Sequence, residues 1–278
     1  KVVIVNRDGG SGPGDALVAT VSGTDITFGS NVEWSSGNGV SSFQATFDSS
    51  NNKVVIVYND SSDSFKLKAI VGTVSGNSIS FGSIATVFNG QVYRYAVTFD
   101  SSNNKVVVAF EDYSGSSGEA VVGTVSGTSI SFGSATTFNS SSTHYIAATF
   151  DTNSNKVVIC YNDDGNSDYG TAIVGTVSGT SISFGSETVF NSSNTGYTKA
   201  TFDSNSNKVV IVYSDIGDSY DGEAVVGTVS GTSISFGSSA DFQTDGNVEN
   251  TDCVFDSAAN RIIVTYEDGG NSSAGAVI

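Results

Sequence analysis

The hydrophobic and polar positions of this chain follow one pattern that recurs about every 52 residues. Each complete unit opens with an uninterrupted apolar run, as in KVVIVY from Lys53, and continues through a polar stretch to a second apolar segment, VGTVSG. A third segment, SISFGS, alternates polar and apolar residues. A fixed internal period of this length is typical of repeat architectures, so the pattern favours one repeated unit over unrelated domains.

The cation that opens the apolar run marks the start of each unit. Units start near residues 1, 53, 105, 156, 208 and 261. We therefore read residues 1–278 as one repeat domain in which the first and last units are incomplete. The chain contains no Met and begins inside a unit, which indicates a processed or truncated start.

One unit predicts four short strands. They are strand A (Tyr197–Phe202), strand B (Lys208–Tyr213), strand C (Glu223–Val229) and strand D (Ser233–Ser238). Strand B is apolar without alternation, which indicates that both of its faces are buried, whereas the alternation in strand D is typical of a strand with one face in water. A sheet of this kind, packed between two copies of itself, is a propeller blade.

We therefore predict an all-β fold, a β-propeller of four-stranded antiparallel blades, with six blades as the best count. Five blades with a redundant tail, a slice of a longer repeat array, and a β-solenoid are the alternatives. Negligible helix is expected, because Gly, Ser, Asn and Asp crowd the turns.

The connections between strands fall into two classes. The A–B turns, such as DSSNNK from Asp48, and the C–D turns, such as SGTS, barely change between units. The B–C and D–A connections vary in length and content. In an up-and-down blade the two classes lie at opposite ends of the strands, so all variable connections share one side of the disc, the variable face. A constant scaffold with variable loops on one side is typical of a recognition surface, although drift of unconstrained loops would look similar.

The distribution of charged residues adds to this interpretation. The formal net charge is −17, and more than half of the 28 acidic residues fall in B–C connections, which predicts a negative variable face. A chain of this charge repels nucleic acid and anionic lipid. No apolar run approaches the roughly 20 residues of a membrane helix, so we expect no membrane insertion.

An aspartate recurs at one position of every B–C connection: Asp8, Asp60, Asp112, Asp163, Asp215 and Asp268. As a structural residue, it accepts hydrogen bonds from backbone N–H groups of the following loop. As a ligand, it contributes to a calcium site, because a hard cation is bound by several oxygens around a flexible turn. Calcium is the one cofactor we consider, with Asp163, Asp164 and Asp168 in one loop and Asp215, Asp218 and Asp221 in another as candidate ligands.

Aromatic residues on the variable face suggest glycan recognition, because Tyr and Trp present an apolar surface together with a hydrogen-bonding group. The candidate ligand-binding residues are Trp34, Tyr113, Tyr169 and Tyr220. Tyr95, Tyr145 and Tyr197 approach strand A, and we expect them to pack in the core.

Catalysis has little support in the sequence. His144 is the only histidine, so a Ser-His-Asp triad would depend on one loop residue and a site with two histidine ligands is excluded. Only three arginines are present, Arg7, Arg94 and Arg261, which are too few for the arginine cluster with which a sialidase-type propeller holds an anionic sugar. A carboxylate pair for glycoside hydrolysis remains open in so acidic a chain. We expect a protein that is not an enzyme.

The segment FDSNSNKVVIVYSD, followed by EAVVGTVSGTSISFGS, resembles a family of tandem β-propeller-like repeat proteins of aquatic microbes and of their viruses and phages. The resemblance covers essentially the whole chain. It implies an extracellular, cell-surface or virion-surface role in structure and attachment, and no catalytic residues.

The combined expectation is a non-catalytic adhesion or receptor-binding module whose variable face binds a glycan or a cell-surface or virion protein. The first alternative is a purely structural component that self-assembles into a filament, shell or appendage. The second is a carbohydrate-active enzyme.

Overall fold

The computed structural model describes residues 1–10, 12–35, 37, 39–244, 247–271 and 274–277. Over these ranges the regular structure consists of β-strands and four short 3₁₀ helices. In these ranges, no helix has the length and apolar character that would let it cross a membrane.

The strands form six successive antiparallel blades. The first blade contains β1 (Val2–Arg7), β2 (Gly14–Ser22), β3 (Asp25–Phe28) and β4 (Val32–Glu33). The second contains β5 (Val40–Asp48), β6 (Lys53–Asp60), β7 (Lys66–Ser75), β8 (Ser78–Phe81) and β9 (Ala85–Gln91). The third contains β10 (Tyr95–Asp100), β11 (Lys105–Asp112), β12 (Ser117–Ser126), β13 (Ser129–Phe132) and β14 (Thr136–Asn139).

The fourth blade contains β15 (Thr143–Asp151), β16 (Lys156–Asp163), β17 (Tyr169–Ser178), β18 (Ser181–Phe184) and the first part of β19 (Thr188–Asp203). The fifth contains the second part of β19, β20 (Lys208–Asp215), β21 (Asp221–Ser230), β22 (Ser233–Phe236) and β23 (Ala240–Gln243). The sixth contains β24 (Val248–Asp256), β25 (Arg261–Asp268) and β26 (Ala274–Val277). The 3₁₀ helices span Ser61–Asp63, Asp164–Asn166, Ile216–Asp218 and Gly269–Asn271.

The third blade shows the complete arrangement. Its strands lie in the order β10, β11, β12, β13, all antiparallel, which confirms the predicted four-stranded blade. The outermost strand has two parts, because β13 pairs with the end of β12 and β14 pairs with its beginning. The sequence pattern predicted only the part formed by β13. The break falls at Gly133, where a Cβ atom would lie 2.0 Å from the carbonyl oxygen of Thr180 in the next blade.

The core lies between consecutive blades. Between the second and third, for example, Val55 and Val57 pack in one cluster with Val106, Val108 and Phe110. Burial on both sides explains why strand B is apolar without alternation. The innermost strands β5, β10, β15, β19 and β24 contact one another in sequence and surround a central channel.

The first blade differs from the internal ones. Among the described strands, none pairs with the inner edge of β1. Ile4 is 39% exposed, whereas Ile56, which has the same place in the second blade, is fully buried. Val2, Ile26 and Phe28 are exposed as well. The first blade therefore presents an apolar surface to solvent.

Hydrogen bonds confirm that the variable connections adjoin each other. The backbone N–H of Val92, before β10, donates to the carbonyl of Phe65 in the loop between β6 and β7 at 3.0 Å. Thr195 and Asp168 make the corresponding bond at 3.0 Å two blades further on. The loops named in the sequence analysis therefore do share one face of the propeller.

Candidate functional site

The recurrent aspartate caps the short helix that follows strand B. Oδ1 of Asp163 accepts from the backbone N–H of Gly165 at 3.1 Å, and Oδ1 of Asp215 accepts from that of Gly217 at 3.0 Å. Asp60 makes the equivalent bond with Ser62 at 2.9 Å. The structural interpretation of this aspartate is confirmed at these positions, since the carboxylates satisfy N–H groups that have no partner within the helix.

The six candidate calcium ligands do not form an assembled site. Across the described ranges, no group of three or more His, Cys, Asp or Glu side chains is arranged to hold a metal ion. Asp163 and Asp215, which cap the short helices, are buried. Of the other four, Asp164 and Asp218 are exposed, and Asp168 and Asp221 are half-buried. Calcium stays a prediction of the sequence.

Trp34 is not at the surface, and the prediction that it binds a ligand is wrong. Its side chain is 3% exposed, and its ring meets that of Tyr58 edge-on at 4.9 Å. It covers Gly14, where a Cβ atom would lie 2.1 Å from the indole. Phe138 covers Gly118 in the same way in the third blade, so Trp34 is the core aromatic residue of its unit.

The three predicted tyrosines belong to three different blades. Tyr113, in the third, is 52% exposed, Tyr220 is exposed in the fifth, and Tyr169 is half-buried in the fourth. The ring of Tyr113 lies 4.9 Å from that of Tyr93, at 86°, and Tyr93 lies 4.9 Å from Phe65. Tyr113 is thus one end of an aromatic row of three rings on the variable face.

The expectation that Tyr95, Tyr145 and Tyr197 are core residues holds for Tyr95 alone, which is 5% exposed. Tyr145 is 38% exposed and Tyr197 is half-buried. Both have left-handed backbones, with φ of 47° and 49°, and both lie at breaks in the pairing of the inner strand with its neighbour. These breaks are β-bulges, which bend a strand and re-aim a side chain.

A left-handed backbone is unusual for a bulky side chain and persists where the surrounding structure imposes it, often at binding sites. The rings of Tyr145 and Tyr197 lie 5.1 Å apart with 47° between their planes. Asn250, at the same place in β24, has φ of 48°. The bulge is therefore a feature of successive inner strands, and the side chain that it carries changes from blade to blade.

These residues border one end of the channel, the end that opens on the variable face. We call this end of the channel the mouth. Its rim is formed by the residues that lie six positions before the closing aspartate of each inner strand: Ser42, Arg94, Tyr145, Tyr197 and Asn250.

Two clefts open at the mouth and share Tyr145 and Ile146 as a wall. The smaller, of about 280 Å³, is bordered by Tyr93, Arg94 and residues 42–44. The larger, of about 460 Å³, is bordered by Tyr197 and residues 250–252. Below both clefts, Gln44, Lys199 and Asp252 line the channel among alanines. The mouth therefore combines aromatic walls with a polar floor.

Arg94 is held at the rim by a buried carboxylate. Its Nη1 lies 2.5 Å from Oε2 of Glu111, which is 2% exposed, and Nε2 of His144 lies 3.7 Å from the other carboxylate oxygen. In the sixth blade, Nδ2 of Asn250 donates to Oε2 of Glu267 at 2.7 Å. The sequence does carry a signal for this arrangement. The residue that follows the apolar run of strand B is Glu only in these two units, as Glu111 and Glu267.

Burial, reinforced by the carboxylate of Glu249, raises the pKa of Tyr197 to about 12. Its hydroxyl consequently stays protonated at ordinary pH and is held beside the Glu249 carboxylate, which accepts its hydrogen bond.

The topology and the central channel define the class of protein: a β-propeller of four-stranded antiparallel blades. No protein-family model and no curated protein sequence matches this chain.

Solved structures match it at the level of the fold. The BP39L lectin from Burkholderia pseudomallei superimposes with a TM-score of 0.73 at 11% identity, over 99% of this chain and 80% of that one. The fucose-specific lectin from Aleuria aurantia gives 0.52 at 12% identity, over 99% and 89%. An exo-β-1,3-galactanase from Phanerochaete chrysosporium gives 0.50 at 11%, over 81% and 56%. At these identities the likeness establishes the fold alone.

Proposed function

We propose that this protein is a non-catalytic carbohydrate-binding module that holds its ligand at the mouth of the propeller. The observation that carries the proposal is the pair formed by Tyr145 and Tyr197, two tyrosines presented by left-handed bulges beside a polar channel. Sugars have apolar ring faces and peripheral hydroxyls, so a protein binds them by placing aromatic rings beside donors and acceptors.

The polar groups required are present next to the rings. Lys199 donates, Asp252 accepts, and Arg94 and Asn250 add donors at the rim. Tyr113 and Tyr220 extend the aromatic surface along the neighbouring loops. This combination supports recognition of a hydroxyl-rich ligand better than recognition of an apolar one.

The proteins of similar fold support a sugar ligand. Two of the similar structures are lectins, and the galactanase raises hydrolysis as the alternative. Glycoside hydrolysis ordinarily requires two carboxyl groups on either side of the scissile bond. Among the described residues that border the two clefts and the channel beneath, Asp252 is the one carboxylate. We therefore favour binding over hydrolysis.

The wider role that we propose is adhesion or receptor binding outside the cell or on a virion, with a glycan or a glycan-bearing surface protein as the partner. The resemblance of the repeats to propeller-like proteins of aquatic microbes and their viruses supports this setting. Calcium bound by the loops of Asp163 and Asp215 is part of the same proposal and is tested with it.

A structural role is the second candidate, favoured by the apolar surface that the first blade exposes through Val21, Ile26 and Phe28. An exposed apolar patch promotes association. Light scattering over a concentration range tests this role: growth of the particle mass, abolished in an Ile26→Ser/Phe28→Ser variant, supports it, and a constant monomer mass contradicts it.

A glycan array in calcium and again in EDTA tests the carbohydrate proposal. The informative variants are Tyr145→Asn and Tyr197→Asn, because Asn250 shows that Asn adopts this backbone at the equivalent position. The matched control is Phe47→Ala, which removes a ring that is 53% exposed at the opposite end of an inner strand.

We expect binding by the wild type and by Phe47→Ala and its loss in both Asn variants. Binding to no glycan, or binding that both Asn variants retain, would overturn the proposal. Loss of binding in EDTA supports the calcium component, and binding that is unchanged in EDTA removes that component.

A further inference from the structure

Resting on the proposed function, we infer that the ligand is a neutral, linear oligosaccharide that lies across both clefts of the mouth, rather than a single terminal sugar. The juxtaposition behind this inference is that Tyr145 and Ile146 border both clefts, with Tyr93 in the smaller and Tyr197 in the larger.

Because Tyr145 and Ile146 border both clefts, the clefts are adjacent along the mouth, and we call the two together the groove. The smaller measures about 280 Å³ and the larger about 460 Å³, so only the two together have the volume of a pocket well inside the range of about 300–1,000 Å³ that is usual for drug-sized ligands. A monosaccharide in either cleft would leave the other cleft and its aromatic ring unused. A chain of several sugars fills both clefts.

The aromatic rings are distributed along this groove. Tyr93 lies in the connection that leads into the third blade, Tyr145 in the fourth blade and Tyr197 in the fifth, and all three are at least partly exposed. Because they stand at or next to consecutive inner strands, their positions follow the curve of the mouth. Successive sugar rings of one chain can stack on successive tyrosines, whereas one sugar contacts only one or two of them.

Polar groups occur at both ends of the groove. Nε2 of Gln44 donates to the carbonyl of Tyr95 at 2.6 Å, which orients the amide and leaves its oxygen as an acceptor in the smaller cleft. Lys199, Asn250 and Asp252 border the larger cleft. Donors and acceptors separated in this way match hydroxyls on different sugars of a chain.

The charges of the groove favour a neutral chain. The guanidinium of Arg94 is paired with Glu111 at 2.5 Å, and Lys199 shares its cleft with Asp252. The whole protein has a formal charge of −17 and repels polyanions. Carboxylated or sulfated sugars would therefore meet a carboxylate close to Arg94 and another in the cleft of Lys199.

Calorimetric titration with neutral gluco-oligosaccharides and chito-oligosaccharides of one to six sugars tests the inference, with oligogalacturonates of the same lengths as the acidic series. We expect affinity for a neutral series to rise about tenfold or more between one sugar and three or four, and then to level off. Tyr93→Ser and Tyr197→Asn, which change opposite ends of the groove, should each abolish most of that rise.

The outcomes separate the inference from the proposed function. Affinity that is already maximal with one sugar, and that only one of the two variants reduces, would overturn the extended ligand while the carbohydrate-binding function stands. Tighter binding of the acidic series would overturn the neutral class. If no length of either series binds and the glycan array is also blank, the proposed function fails together with the inference.

Discussion

Tyr145 and Tyr197 have the same place in successive inner strands, the same left-handed backbone, and rings that lie 5.1 Å apart. Asn250 continues the series in the next blade with φ of 48°. The backbone feature repeats with the fold, whereas the side chain that it presents does not. This is the relationship expected of a scaffold that holds the ligand contacts in place while their chemistry varies.

The stability of a Tyr145→Asn variant follows from this relationship. A left-handed backbone costs a bulky residue about 1–2 kcal/mol, and Asn tolerates it better, so relief of strain offsets the lost ring contact. We expect the free energy of unfolding in urea to change by less than about 1 kcal/mol. A loss of more than about 2 kcal/mol would mean that the ring is a core residue, as the sequence analysis expected.

The exposure of the first blade predicts unequal effects of identical substitutions. Ile56→Ala should lower the free energy of unfolding by about 2–5 kcal/mol, because it leaves a cavity between two blades. Ile4→Ala, at the same place in the first blade, should cost less than about 1 kcal/mol, because that side chain already contacts solvent. Urea unfolding of the two variants measures the contrast. Equal losses would show that the first blade is covered in solution.

The strands and the blade order were predictable because they follow from local pattern: an apolar run buried on two faces, an alternating strand, and turn residues at fixed intervals. The position of Trp34 was predictable too and was missed. It aligns with Phe138, Phe190 and Phe242, three aromatic residues that each cover a strand-C glycine. Comparison of the units would have placed it in the core.

The presentation of Tyr145 and Tyr197 was not predictable in this way. Tyr favours extended backbone, and no local sequence feature indicates a left-handed residue in THYIAATF or in TGYTKATF. The bulge depends on how the inner strand meets the loop of its own blade and the strand of the next. It is a consequence of tertiary structure, which is also why the ligand candidates drawn from the loops did not include the rim of the mouth.

The A–B turns provide a stability test within the repeat. Asp100 is buried and accepts from the backbone N–H groups of Ser102 and Asn103, both at 2.9 Å, and from the side-chain amide of Asn103 at 2.8 Å. Asp256 is less buried and accepts from the backbone N–H groups of Ala258 and Ala259.

Asp100→Ala should therefore lower the free energy of unfolding by about 1–3 kcal/mol, because it removes three hydrogen bonds to a buried carboxylate. Asp256→Ala should cost less, since solvent can replace its bonds. Thermal unfolding by calorimetry compares the two variants directly. A larger loss at Asp256 would contradict this account of the turns.

The raised pKa values of two tyrosines predict how the stability changes at alkaline pH. Burial raises the pKa of Tyr58 to about 12, against the opposing effect of Lys68, and burial together with Glu249 raises that of Tyr197 to about 12. In the unfolded chain the same groups ionise near their ordinary value of about 10. A group with a raised folded-state pKa contributes stability that is complete below the unfolded value and is lost as pH rises through the folded value.

We accordingly expect the free energy of unfolding to fall between about pH 10 and pH 12. Tyr197→Phe should make that fall shallower, because Phe cannot ionise in either state, and Glu249→Gln should lower the pKa of Tyr197 by removing a nearby negative charge. Absorbance titration of the phenolate and urea unfolding across this range measure both effects. Stability that is flat to pH 12, or a Tyr197→Phe variant with an unchanged slope, would show that Tyr197 titrates as it does in the unfolded chain. Its hydroxyl would then be fully solvated at the mouth rather than held beside Glu249.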